Sequence, residues 1–244
     1  MAASKTACEK QFMKTFQKIY FLLIVLFLNL HSIGQTQLSE VDTLRIDYPK
    51  VKDYLKRQMA EGLQTFDNLK PSFQPGSNIE DYHVIDREFH VKDSLEKVWN
   101  DYLNTVLQES WNTKKIGFGF CYSRNKDSLY YANDEVRTIV PGLVVYLNLK
   151  VLFGMKQLAV AFEITQIDPE DKMIEFSYLA GNETEGKQQL FFRPTNKGST
   201  LITHLSYYRS KSKARDKLYP LLHAQLINQF HRNMKLINKD KYEQ

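Results

Sequence analysis

Cysteine is nearly absent from this chain: 244 residues hold two, Cys8 and Cys121. Cys8 falls in a stretch read below as a targeting segment, so an exported chain keeps one thiol and no disulfide. Two cysteines so far apart make no metal site, and Cys121, among Phe118, Phe120 and Tyr122, reads as a small core residue. The signatures of common catalysis are also missing: no Gly-x-Ser-x-Gly, no His-Glu-x-x-His, no paired-cysteine motif and no phosphate loop. Gly117-Phe-Gly119 lacks the third glycine of a dinucleotide motif. A strong positive charge is lacking too. The net +5 is inflated by residues 1–34, whose four lysines and one glutamate leave 29 basic against 27 acidic residues, a net of +2. That balance is no nucleic-acid footprint. No catalytic residue, metal or cofactor is therefore assigned from motifs.

Long hydrophobic runs are scarce. The one present, Ile19–Leu30, follows Lys14 and Lys18 and is a dozen residues long, short of the ~20 that span a bilayer as a helix. Ser32-Ile33-Gly34 follows with small residues at two of its three positions, which predicts cleavage before Gln35. The expectation is export to the periplasm or beyond, with an uncleaved membrane anchor as the alternative. The chain then divides into a signal peptide (1–34), an extension with one amphipathic helix and a linker (35–77), a main domain (78–238) and a tail (239–244).

What is abundant is aromatic and periodic: 15 Phe, 14 Tyr and 2 Trp. Val51, Tyr54, Leu55, Met59, Leu63 and Phe66 recur at helical spacing, which predicts a helix over Pro49–Asp67. Such a helix either packs on the outside of the main domain or serves as a lid or partner-binding arm. Tyr82–Val91 alternates as a strand, and Asp93-Ser-Leu-Glu96 opens a helix carrying Leu95, Val98, Trp99, Tyr102 and Leu103. A second short helical piece runs from Val106 to Trp111. The period then becomes two, with strands expected at Leu129–Ile139, Val144–Phe153, Leu158–Ile167, Lys172–Ala180, Lys187–Arg193 and Ser199–Tyr208. Short turns join them, so an antiparallel meander follows. From Arg215 to Ile237, Leu218, Leu222, Leu226, Phe230, Met234 and Ile237 form the stripe of a long terminal helix, with Pro220 in its first turn.

One strand, paired short helices, six strands and a long helix make an order that resembles the START-like superfamily, the helix-grip group that includes polyketide cyclases and the birch-pollen allergen family. Phe89-His-Val-Lys-Asp-Ser-Leu-Glu-Lys-Val-Trp99 is similar to the family's first strand turning into a helix. Gly198-Ser-Thr-Leu-Ile-Thr-His204 looks like its last strand, and Leu218–Leu236 like its terminal helix. The resemblance implies an α+β fold: a curved antiparallel sheet of about seven strands around the C-terminal helix, with two short helices after the first strand. It also implies an apolar cavity between sheet and helix that takes a hydrophobic small molecule or lipid. On that expectation Trp99, Tyr146, Phe162, Phe176, Tyr178, His204, Leu222, Leu226 and Phe230 line it.

Two alternatives belong to other classes. A cyclase- or hydrolase-like enzyme would use His204 with Glu163 or Glu175 as an acid–base pair. An envelope interaction module would use the Pro49–Asp67 helix as its contact surface. His223 and His231, eight apart on the terminal helix, read as surface residues rather than metal ligands. Arg209, Lys211, Lys213, Arg215 and Lys217 crowd one short stretch, read either as a solvated loop or as a contact to anionic headgroups.

Overall fold

The structure, a computed structural model, describes residues 35–240. The expected signal peptide lies outside the described residues. Eight strands form one sheet: β1 His83–Val91, β2 Ile116–Ser123, β3 Ser128–Tyr131, β4 Leu143–Val151, β5 Lys156–Asp168, β6 Met173–Tyr178, β7 Thr184–Pro194 and β8 Thr200–Ser210. Their order is β1-β8-β7-β6-β5-β4-β2-β3, every neighbour antiparallel. Between β1 and β2 lie two short helices, α2 Leu95–Asn104 and α3 Leu107–Ser110. The chain closes with α4, Lys213–Asp240. Upstream, α1 spans Pro49–Ala60.

The expected seven strands become eight because β2 was passed over. Its eight residues are all buried, so the polar–apolar alternation that marks a half-buried strand is missing. The expected strand Leu129–Ile139 shrinks to Ser128–Tyr131, where the Asp134 carboxylate accepts from the Tyr131 N–H at 2.9 Å and turns the chain. α1 stops at Ala60 instead of Asp67. Gly62 follows with φ +88°, a left-handed position that ends helices readily.

Strand parity gives the sheet two covered faces. On one, Val145, Leu147, Phe162, Phe176, Phe192 and Ile202 pack with α2 and with Phe230 and Met234 of α4. Each such side chain, fully buried, stabilises the fold by about 1.5–3 kcal/mol. On the other, Phe120, Tyr122, Val144 and Tyr146 meet Leu38, Val51, Tyr54, Leu55 and Phe66 of the extension in a second core. The extension therefore packs on the outside of the sheet. Gly119 permits the approach: β2 bulges there, and a Cβ would lie 2.9 Å from the Tyr146 carbonyl and 3.0 Å from Val51. Arg124 fastens it, donating to the carbonyls of Phe66 (2.8 Å) and Leu69 (2.7 Å) while paired with Glu163 at 2.9 Å. Val51, Tyr54 and Leu55 of α1, the helix of the interaction-module reading, are turned to this core, which leaves its polar face, with Lys50, Asp53 and Arg57, outward.

α4 starts two residues earlier than the apolar stripe suggested. The Ser212 hydroxyl accepts from the Arg215 N–H at 3.4 Å, and the Ser212 carbonyl from the Asp216 N–H at 3.1 Å. Pro220 thus sits inside the helix instead of in its first turn, withholding the N–H that the Asp216 carbonyl would otherwise receive.

Candidate functional site

A cavity of about 210 Å³ separates the β4–β5 hairpin from the first half of α4. Leu149, Val151, Leu158 and Val160 line it from the sheet, and Leu218, Leu222 and Leu226 from the helix. The helical set follows from steps of four, which hold one face of α4 toward the hairpin. One end is polar, with Tyr178, Tyr219 and His223. At the rim, Leu152 is 41% exposed and Arg215 pairs with Glu183 at 3.1 Å. The volume falls below the about 300–1,000 Å³ usual for ligand pockets.

Behind the polar end runs a buried chain of hydrogen bonds. Tyr102 Oη meets His231 Nδ1 at 2.7 Å, and His231 Nε2 meets His204 Nδ1 at 3.0 Å. His204 Nε2 and His223 Nε2 converge on Gln188 Oε1 at 2.6 and 2.9 Å. Gln188 Nε2 donates to the Tyr178 hydroxyl at 2.6 Å, which lies 2.9 Å from the Tyr219 hydroxyl.

The protons in this chain can run in either of two orders. With Gln188 Oε1 accepting, both His204 and His223 carry their proton on Nε2, and His204 Nδ1 is bare. It accepts from His231 Nε2–H, which leaves His231 Nδ1 to accept from Tyr102. The reverse order, with the Gln188 amide turned over, strands two buried donors, Tyr102 O–H and His223 Nδ1–H. Stranding a buried donor or acceptor costs about 1–3 kcal/mol. The first order strands the acceptor His223 Nδ1, which is buried with no hydrogen-bond partner, and, once Tyr178 donates to Tyr219, the Tyr219 O–H. Each order thus strands two groups, and the Tyr178–Tyr219 bond can run either way.

Burial keeps all three imidazoles neutral. His204 is held well below the usual histidine range by desolvation, then by its histidine neighbours. His223 is pushed down to about 3 by desolvation, with Arg87 adding to it, and His231 to about 3 by desolvation and His223. Desolvation likewise pushes Tyr178 up to about 12.

Of the nine residues expected to line a cavity, Tyr178, Leu222 and Leu226 do so. His204 stands one step behind, joined to His223 through Gln188. Phe162, Phe176 and Phe230 are instead filling: Trp111 stacks on Phe230 at 4.1 Å and lies 5.2 Å from Phe162, which meets Phe176 at 4.9 Å. Trp99 packs edge-on to Phe192 at 5.4 Å. Tyr146 is on the opposite face, stacked on Phe120 at 4.3 Å and donating to Gln58 at 2.8 Å. The expected pairing of His204 with Glu163 or Glu175 fails on the same parity. Glu163 faces Arg124 on the extension side, and Glu175 accepts from Lys187 at 2.8 Å and Gln189 at 2.9 Å there.

His223 and His231 are buried, not on the surface. Steps of four, four and three through His223, Ile227, His231 and Met234 were the available signal. Gln188 was missed although it shares strand parity with Leu190 and Phe192. Among the described residues no group of three or more His, Cys, Asp and Glu side chains is placed to hold a metal.

An eight-stranded antiparallel sheet packed on a long C-terminal helix, with two short helices after its first strand, is the helix-grip arrangement. That is the order of elements expected from the sequence, with one strand more. No family model matches the sequence, and no curated protein matches it. Solved structures are similar. A major latex-like protein from Panax ginseng is 15% identical, with TM-score 0.48, over 64% of this chain and 97% of its own. A START superfamily protein from Mycobacterium smegmatis is 15% identical, with TM-score 0.46, over 65% and 98%. Norcoclaurine synthase from Thalictrum flavum, in complex with dopamine and hydroxybenzaldehyde, is 14% identical, with TM-score 0.46, over 65% and 87%.

Proposed function

We propose that this protein binds a compact hydrophobic small molecule or a single lipid chain in the cavity between the β4–β5 hairpin and α4, without transforming it. The observation that carries the reading is the cavity itself, about 210 Å³, lined mainly by leucine and valine side chains with Tyr178, Tyr219 and His223 among its polar residues. The described carboxylates near it do not serve acid–base chemistry. Glu183 is paired with Arg215 at the rim, and Glu163 and Glu175 face the other way. A binder needs shape and one polar anchor, which this cavity has.

Titration with naphthalene tests the reading. The wild-type protein takes up one equivalent, and Leu222→Trp, which fills the tube from the helix side, loses uptake while keeping a cooperative melt. Equal uptake by both proteins would place the ligand elsewhere.

Two wider elements belong to the same proposal. Export follows from the Ile19–Leu30 run and the Ser32-Ile33-Gly34 site. Contact with anionic headgroups would use Lys213 and Lys217, exposed on the first turns of α4, near the cavity rim. Arg209 and Arg215 contribute less, since each already pairs with a glutamate, Glu185 and Glu183. Arg209→Gln, Lys211→Gln, Lys213→Gln and Lys217→Gln combined should weaken binding to vesicles containing phosphatidylglycerol; unchanged binding rejects the contact.

A further inference from the structure

The rim of the cavity is charged where its walls are apolar, and the charges do not balance. Three charged side chains are among its lining residues: Lys156 at the start of β5, Glu183 in the β6–β7 turn and Arg215 in the first turn of α4. Hydrogen bonds bring these elements to one end of the sheet. The Asn182 amide donates to the Ala161 carbonyl of β5 at 2.7 Å, and the Lys211 N–H, just ahead of α4, donates to the Glu183 carbonyl at 3.1 Å. Glu183 is the one carboxylate among the lining residues, and two cations share it, Arg215 at 3.1 Å and Arg57 of α1 at 3.8 Å. Lys156 is exposed, and among the described residues no carboxylate pairs with it. Positive charge is therefore in excess at the rim. Along α4, Leu218, Leu222 and Leu226 follow Arg215 over about 16 Å of helix, all lining the cavity.

We propose that the bound molecule is an amphiphile: one apolar chain lying along Leu218, Leu222 and Leu226, with an anionic head, a carboxylate or phosphate monoester, held at the rim by Arg215 and Lys156. The inference rests on the cavity-binding reading above and adds the head group and the direction of the chain. The Arg215–Glu183 pair does not block it. Its side chains are 39% and 42% exposed, and ion pairs so exposed are weak. The guanidinium carries five donors, so an entering anion shares it with Glu183. A cationic head would meet Lys156 and Arg215 against one carboxylate that is already held twice. A neutral head gains no charge pairing at all.

The test uses the protein as its host produces it and four probes with one tail: octanoate, octyl phosphate, 1-octanol and octylamine, titrated at neutral pH and low salt. The wild-type protein should bind the better of the two anions about five- to tenfold more tightly than 1-octanol, the gain of one or two partly exposed charge pairs. Octylamine should bind most weakly, and the comparison of octanoate with octyl phosphate names the head. Raising the salt to about 1 M, where the screening length is about 3 Å, should remove most of the preference without weakening 1-octanol. In Lys156→Gln and in Arg215→Gln the ratio of anion to alcohol should fall, and in the double variant it should approach one. Glu183→Gln acts in the opposite direction. It frees Arg215 and removes the competing charge, so the ratio should rise above that of the wild type, a gain that a loosened fold would not produce.

Equal binding of anion and alcohol, a preference for the amine, a ratio that salt and the double variant leave unchanged, or a fall in Glu183→Gln would overturn the anionic head and leave the cavity reading standing. Uptake of naphthalene without any octyl probe would overturn the amphiphile and again leave the cavity. Failure of naphthalene and all four octyl probes would remove both.

Discussion

His204, His223 and His231 are uncharged because of where they are, and that fixes how the protein answers to acid. In the unfolded chain each titrates near 6.5, whereas in the fold each is depressed, His223 and His231 to about 3. A depressed histidine costs nothing at pH well above 6.5, where it is neutral in both states. As pH falls through the unfolded value, the unfolded chain takes up protons that the fold refuses, and stability drops until the folded value is reached. By pH 5.5 the loss is about 1.4 kcal/mol for each histidine and about 4 kcal/mol for three. That is a large part of the about 5–15 kcal/mol that holds a typical domain together. Urea midpoints measured at pH 7.5, 6.5 and 5.5 should therefore fall steeply over the last step. In a His204→Gln, His231→Gln double variant the pH dependence should shrink by about two thirds. A flat profile in the wild type would mean that the imidazoles are not buried as described.

Among the elements, the extension behaves as a strap rather than a linker. Arg124 on the turn after β2 holds two of its carbonyls and Glu163 of β5 at once. Arg124→Met keeps the stem but removes these bonds and leaves the largely buried Glu163 carboxylate without its cation. We expect about 2–4 kcal/mol of destabilisation, below the about 3–5 kcal/mol of a fully buried pair because Arg124 is one-fifth exposed. Limited proteolysis should then cut first within residues 36–69; cleavage elsewhere first would mean that the strap is held mainly by its apolar side chains.

At this scale the sequence was legible where one face of an element is wet. β8 alternates and α4 carries a stripe, and each lies within a few residues of its expected span. It was illegible where both faces are covered. β2 lies between the two cores, so Gly117-Phe-Gly-Phe-Cys-Tyr122 shows no period and reads as a fragment of a glycine motif. Tyr146 was misassigned for the same reason: with apolar residues on both sides of β4, parity said that it opposed Val145 and Leu147 but not which side held the cavity. Site residues followed suit. Leu222 and Leu226 were predictable from helical spacing, whereas Gln188 and the two helical histidines required knowing that a polar chain could be satisfied inside an aromatic core.

For the molecule as a whole, a long amphipathic helix against a sheet leaves space that side chains must fill, and here they fill one end only. Toward α2 and α3 the interior is closed by Trp111, Phe162, Phe176 and Phe230. Toward the β4–β5 hairpin it stays open, about 210 Å³ bounded by aliphatic side chains and ended by Tyr178, Tyr219 and His223. The element order made a cavity expected; which end stays open depended on where four aromatic rings meet, and no pairwise pattern in the sequence encodes that.

The most direct measurement is native mass spectrometry of the protein purified gently from its own host. The account predicts a complex heavier than the chain by one small apolar molecule, released by organic solvent and absent from Leu222→Trp prepared in the same way. A bare chain mass, or an adduct that the Leu222→Trp protein retains, would contradict it.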